Sequence, residues 1–149
     1  DYGEEKLSKE IAELIGERRG GNPIETTGDL VDIILEVYRK KLKTDKEVPW
    51  VGGIHPATKV FQALRIHTND ELGVLEKALP QAVEALETGG RLAVISFHSL
   101  EDRIVKHFFK GQDGKSLNII TKKPIIAGDE ESKENPRARS AKLRVIEKI

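Results

Sequence analysis

The sequence predicts an α/β chain. An all-helical lobe occupies residues 1–68, and strands and helices of one layered domain fill residues 69–149. Three observations carry this. The first half has apolar residues at helical spacing and no strand-like run. The second half has a continuous apolar run, "RLAVISF", of the kind buried on both faces of a parallel sheet. That run is flanked by two helical patterns and followed by two more strand-like segments, "SLNIIT" and "KLRVIEKI".

Residues 4–19 set Leu7, Ile11, Leu14 and Ile15 on one helical face, and Gly20 and Gly21 end that helix. In "NPIETTGDL", a loop leads into a second helix with Thr26 or Thr27 as N-cap. Leu30, Ile33, Ile34, Val37 and Leu42 form its apolar stripe, and the basic stretch "RKKLKTDK" follows. Trp50 falls in an irregular segment with the glycine turn "VGGI". Pro56 suits the first turn of a third helix with Phe61 and Leu64 inward. Asn69 or Asp70 caps a fourth helix bearing Leu72, Leu75, Leu79, Val83 and Leu86, which "ETGGR" stops. After the strand "RLAVISF", Ser99 and Asp102 make a capping-box-like start for a helix that buries Leu100, Ile104, Val105 and Phe108. The acidic stretch "GDEESKEN" reads as a mobile loop before the last strand.

Composition narrows the function. The 149 residues suffice for one domain or two small lobes. Charged residues are 34% and hydrophobic ones 38%, which describes a soluble, folded chain, and no apolar run approaches a membrane span. Absence of cysteine excludes disulfides and thiolate metal sites and permits a cytoplasmic setting. With a net charge of +0, attraction to nucleic acid must come from a local patch. There is no methionine, even at residue 1, so the sequence reads as a partial or processed chain. No glycine-rich phosphate loop is present, and the histidines have no metal-ligand spacing.

Three stretches are candidates for a site, and each reads two ways. In "SFHSLEDR", His98 and Ser99 sit at the carboxyl end of an apolar strand, where open α/β sheets bind ligands. The plainer reading makes Ser99 and Asp102 a helix cap and pairs Arg103 with a neighbouring acid. In "HPATKVFQALRIHTND", the polar residues His55, Lys59, Gln62, Arg65, His67 and Asn69 are either a binding face or a solvated one. Lys122, Lys123, Arg137, Arg139, Lys142 and Arg144 flank the acidic stretch. If the last two strands pair, several of these cations share one end and suit a phosphate backbone, or else they guard a strand edge.

"HPATKVFQALRIHTNDEL", "GGRLAVISFHSLEDRIVKHFF" and "ENPRARSAKLRVIEK", together with "YGEEKLSKEIA" and the spacing of Pro23, Thr26, Thr27 and Leu30, resemble one family across essentially the whole chain. These stretches are similar to S-adenosylmethionine-dependent methyltransferases that modify N4 of a cytosine in 16S ribosomal RNA. The resemblance implies the C-terminal part of a Rossmann-like methyltransferase sheet with an all-helical substrate-binding lobe. The cofactor site would lie in an upstream half, with no cofactor-binding residue in this chain. It implies 16S ribosomal RNA or the small ribosomal subunit as partner and a cytoplasmic setting, while the residues themselves give no sign of a membrane span or a metal site. At family-matching positions, Ser96, His98 and Asp102 are the candidate catalytic groups. Lys59, Arg65, Asn69, Arg103, Lys122, Lys123, Arg137 and Arg139 are the candidate RNA contacts. A non-catalytic RNA-binding or ribosome-assembly module is the alternative. An unpaired edge on "RLAVISF" would favour self-association and leaves room for a homodimer.

Overall fold

A computed structural model describes residues 2–21, 23–50 and 53–149. Asp1, Asn22 of the "NPIETT" loop, and Val51 and Gly52 of the "VGGI" turn lie outside the described residues. The chain forms two compact units, Asp1–Asn69 and Asp70–Ile149.

The first unit is helical: α1 is Ser8–Arg18, α2 is Thr27–Leu42 and α3 is Thr58–Asn69. Leu7, Ile11 and Leu14 pack with Leu30, Ile33, Ile34, Val37 and Ala57, as the periodicity predicts. Helix α1 begins later than residue 4. The Glu5 carboxylate accepts the Leu7 amide at 2.9 Å and the Tyr38 hydroxyl at 2.9 and 3.0 Å, which holds the entering segment in turns. Thr26 is the N-cap of α2, and Asp29 closes a reciprocal capping box. Leu42 and Leu64, expected inside, are exposed. Leu42 is the last residue of α2, and Ile66 is the residue α3 buries instead of Leu64.

In the second unit, α4 is Glu71–Glu84, β1 Arg91–Ser96, α5 Ser99–Gln112, β2 Leu117–Ile119, β3 Ile125–Ile126, α6 Asp129–Glu134 and β4 Lys142–Lys148. A 3-10 turn, Pro136–Ser140, precedes β4. The class is α/β as the sequence predicts, consistent with a partial Rossmann-like fold. The sheet, however, is small and antiparallel, in the order β1-β4-β2, with β3 also on β4.

Strand β1 therefore departs from the parallel, doubly buried reading. Leu92, Val94 and Ser96 face inward, while Arg91, Ala93 and Ile95 face outward. Its partner among the described residues is β4, and Ile95 is 58% exposed. An apolar run reads the same whether or not the layer that would cover its outer face is present. The inward residues join Leu79 of α4, Val105 and Phe109 of α5, Leu117 and Ile146 in one core, so both helices serve the same face of the sheet.

Two smaller expectations also change. The stretch "GDEESKEN" contains the helix α6, whose first turn carries Asp129, Glu130 and Glu131, the sign that the amino end of a helix favours. Asp70 holds the N-cap position of α4 in left-handed backbone (φ 48°), without a side-chain capping bond.

Candidate functional site

Strand β1 runs into α5 through Phe97 and His98, and the polar groups named in "SFHSLEDR" gather at this junction. The cap is one residue earlier than the sequence suggests. His98, in extended backbone (φ −141°, ψ 166°), is the N-cap, and Glu101 is its reciprocal partner. The Glu101 amide donates to His98 Nδ1 at 3.3 Å, and the Phe97 and His98 amides donate to Glu101 Oε2 at 2.8 and 3.2 Å. Imidazole is a rare choice for this role, which short oxygen side chains normally fill.

The cap dictates the tautomer. An Nδ1 that accepts a hydrogen bond leaves the proton on Nε2. That Nε2 is buried without a hydrogen-bond partner in the structure. It lies 3.4 Å from Glu101 Oε1, and a Glu71 carboxylate completes a group of three ligand-type atoms within 4.8 Å of one another. A metal would need the lone pair that the proton occupies. The arrangement suits an N–H held near the Glu101 carboxylate better than a metal centre.

Asp102, free of capping duty, does something the sequence did not announce. It receives Arg144 of β4 side-on: Nε to Oδ1 at 2.7 Å and Nη2 to Oδ2 at 3.2 Å. Both side chains are nearly buried, at 12% and 9% exposure. The Arg144 hydrogen bond holds the Asp102 carboxyl below its ordinary value, against the opposing effect of burial. Lys142 Nζ stands 3.6 Å from Oδ2, so one carboxylate here faces two cations. Ser96 is buried, and its hydroxyl donates to the Lys142 carbonyl at 3.4 Å. Arg144 was readable in principle. Strand alternation puts it on the face of Ile146, and an arginine on a core-facing position demands an anionic partner.

Ser96, His98 and Asp102 thus come together at one strand end, with Lys142 as a fourth member. The other candidates are dispersed. Lys59, Arg65 and Asn69 lie on α3 of the first unit. Arg103 lines a depression with Glu76, Ile104, His107 and Phe108 of α4 and α5. Lys122 and Lys123 are exposed between β2 and β3, in the segment beside Val145, whereas exposed Arg137 and Arg139 lie in the turn before β4. Between these two cation pairs in the chain lie β3, which pairs with Leu143 and Lys142 of β4, and α6.

All of residues 1–149 match the MraW methylase family. Curated relatives, each called "Ribosomal RNA small subunit methyltransferase H", include those of Heliobacterium modesticaldum (53% identical over 165 residues), Synechocystis (54% over 149) and Deinococcus deserti (52% over 149). The whole chain is covered in each case, against 50%, 45% and 46% of the relative. The chain spans about half the length of the curated relatives it matches. A match that runs from residue 1 to residue 149, with relatives more than half identical over all of it, makes this chain a member of the MraW methylase family.

Proposed function

We propose that the chain is part of an enzyme that methylates the exocyclic N4 amine of a cytosine in 16S ribosomal RNA within the small ribosomal subunit, in the bacterial cytoplasm. The observation that supports this best is the family match over every residue, with relatives named as small-subunit ribosomal RNA methyltransferases.

S-adenosylmethionine supplies the methyl group in this reading. The groups at the β1 end do not fit that cofactor: Glu101 takes the Phe97 and His98 amides, and Arg144 takes Asp102. No residue at the β1 end is therefore assigned to it.

The task left to this chain is positioning. An exocyclic amine is a weak nucleophile because its lone pair is delocalised into the ring, so in-line placement carries much of the rate. The base must leave its stack to be reached. Asp102, held ionised by Arg144, is a poor proton acceptor, so its role is to fix the strand end and the Lys142 amine. His98 sets the turn from strand to helix. Lys142, with Lys59, Arg65, Asn69, Arg103, Lys122, Lys123, Arg137 and Arg139, is proposed to hold RNA phosphates.

The test is methyl transfer to small ribosomal subunits by the protein extended to its relatives' full length, followed by mass analysis of the nucleosides. N4-methylcytidine is the expected product. A methyl group at another atom would refute the cytosine-N4 assignment, and RNA binding without any methyl transfer would favour the non-catalytic RNA-binding module.

A further inference from the structure

The chain has one tryptophan, Trp50, and its side chain is not in a core: it is 63% exposed. Large aromatic surface left in water is the informative kind of exposure. The indole stands edge-on to the His55 ring, with centroids 6.0 Å apart at 87°. His55 accepts the Ala57 amide at Nδ1 (3.1 Å), which leaves its Nε2–H as a donor.

His55 is also a wall of a groove of about 540 Å³ in the first unit, so the indole stands one ring away from that groove. That size suits one small ligand, since such pockets run roughly 300–1,000 Å³. Leu42 and Ile54 give it apolar surface, at 49% and 38% exposure. Lys6, Lys41 and Lys59 bring three cations to its lining. Of its two carboxylates, Glu5 is already engaged by the Leu7 amide and the Tyr38 hydroxyl, leaving Glu10. Burial, then Glu5, pushes the Tyr38 hydroxyl up to about 12, so it remains a neutral donor. The pattern is an apolar slot with positive charge along its lining and an exposed indole just beyond its His55 wall. It is the chemistry that recognises a single splayed-out nucleotide.

We propose that this groove takes one unstacked nucleotide of a single-stranded RNA segment, with its base stacked on Trp50 and its phosphate held by Lys41 and Lys59. This rests on the RNA reading above and adds a contact distinct from the β1 end. An apolar peptide is the competing occupant, and it lacks the anion that the lysines would pair with.

Because Trp50 is the sole tryptophan, its fluorescence reports on a base stacked beside the His55 wall of the groove. The probe is a short single-stranded oligoribonucleotide of mixed sequence, compared with the same sugar–phosphate chain stripped of its bases. The intact oligomer should quench Trp50 and the abasic one should not. Trp50→Ala should weaken binding roughly tenfold, Trp50→Phe should keep most of the affinity, and Lys59→Gln should lower the salt slope by about one. Circular dichroism melts check that the variants fold, and the wild-type quenching decides the matter if Trp50→Ala does not. If the intact oligomer binds without quenching and Trp50→Ala binds as tightly, the stacking site is wrong and the RNA reading stands. If neither oligomer binds the wild type, or an apolar peptide quenches where RNA does not, the stacking site falls. Filter binding of small-subunit RNA to the full-length protein then separates the two failures: retained binding there spares the RNA reading.

Discussion

Asp102 illustrates how much one residue's role depends on a partner distant in sequence. As a helix cap its loss would cost about 1 kcal/mol, but as half of a buried ion pair the figure is larger. Asp102→Asn leaves Arg144 charged and poorly paired, and is expected to cost about 3–5 kcal/mol, read from a denaturation midpoint. Replacing both partners by leucine should recover most of that. The pair also sets an acid limit. Its carboxyl titrates below the ordinary value in the folded state, so its contribution is fully present above about pH 5 and is lost as pH falls through the folded pKa. Asp102→Asn should flatten the acid side of the stability curve. For His98, the cap predicts that His98→Ala costs about 1 kcal/mol while His98→Asn, an efficient N-cap, costs less. We expect His98→Ala to slow single-turnover methyl transfer in the full-length protein by more than the stability change explains, because a shifted turn misplaces the strand end. Wild-type rates in His98→Asn would make the imidazole purely structural.

At the scale of elements, β1 is the exposed one. Its inner face is packed, its outer face carries Ala93, Ile95 and the exposed Phe97 beyond it, and among the described residues only one edge is paired. Such an edge recruits other chains. We expect the 149-residue chain to self-associate, and Ile95→Lys to shift sedimentation toward the monomer without lowering the melting temperature, since Ile95 is 58% exposed. A wild-type monomer with a cooperative melt would refute this. The sequence revealed the strand itself plainly, through an unbroken apolar run ended by glycines and a cap. It could not reveal direction or layering, which depend on pairings made tens of residues away. The helices of the first unit were legible because their information is local: stripes such as Leu30, Ile33, Ile34 and Val37 sit within one helix. Of the two leucines misjudged, Leu42 is the last residue of α2, and Leu64 yields the buried place on α3 to Ile66. At the β1 end, the clustering of Ser96, His98 and Asp102 was legible as strand-end chemistry. The identity of the cap was not, because an imidazole is an unusual N-cap, and that of Asp102's partner was not, because register on β4 decides it.

For the molecule as a whole, the fit of these 149 residues to about half of each relative sets an expectation about the cofactor. The polar groups at the β1 end are taken up by one another, so calorimetry should detect no binding of S-adenosylmethionine to this chain at micromolar concentrations. The full-length protein should bind it. Micromolar binding to the chain alone would overturn the reading that gives it no cofactor contact.

The antiparallel marriage of β1 and β4 has a consequence during translation. Ser96 meets Lys142, a partner 46 residues later in synthesis. At roughly 5–20 residues per second, β1 leaves the ribosome and waits on the order of several seconds before its mate emerges. For that interval the edge of β1 that β4 will take stays unpaired, and the apolar ribbon "RLAVISF" is open to premature pairing along it.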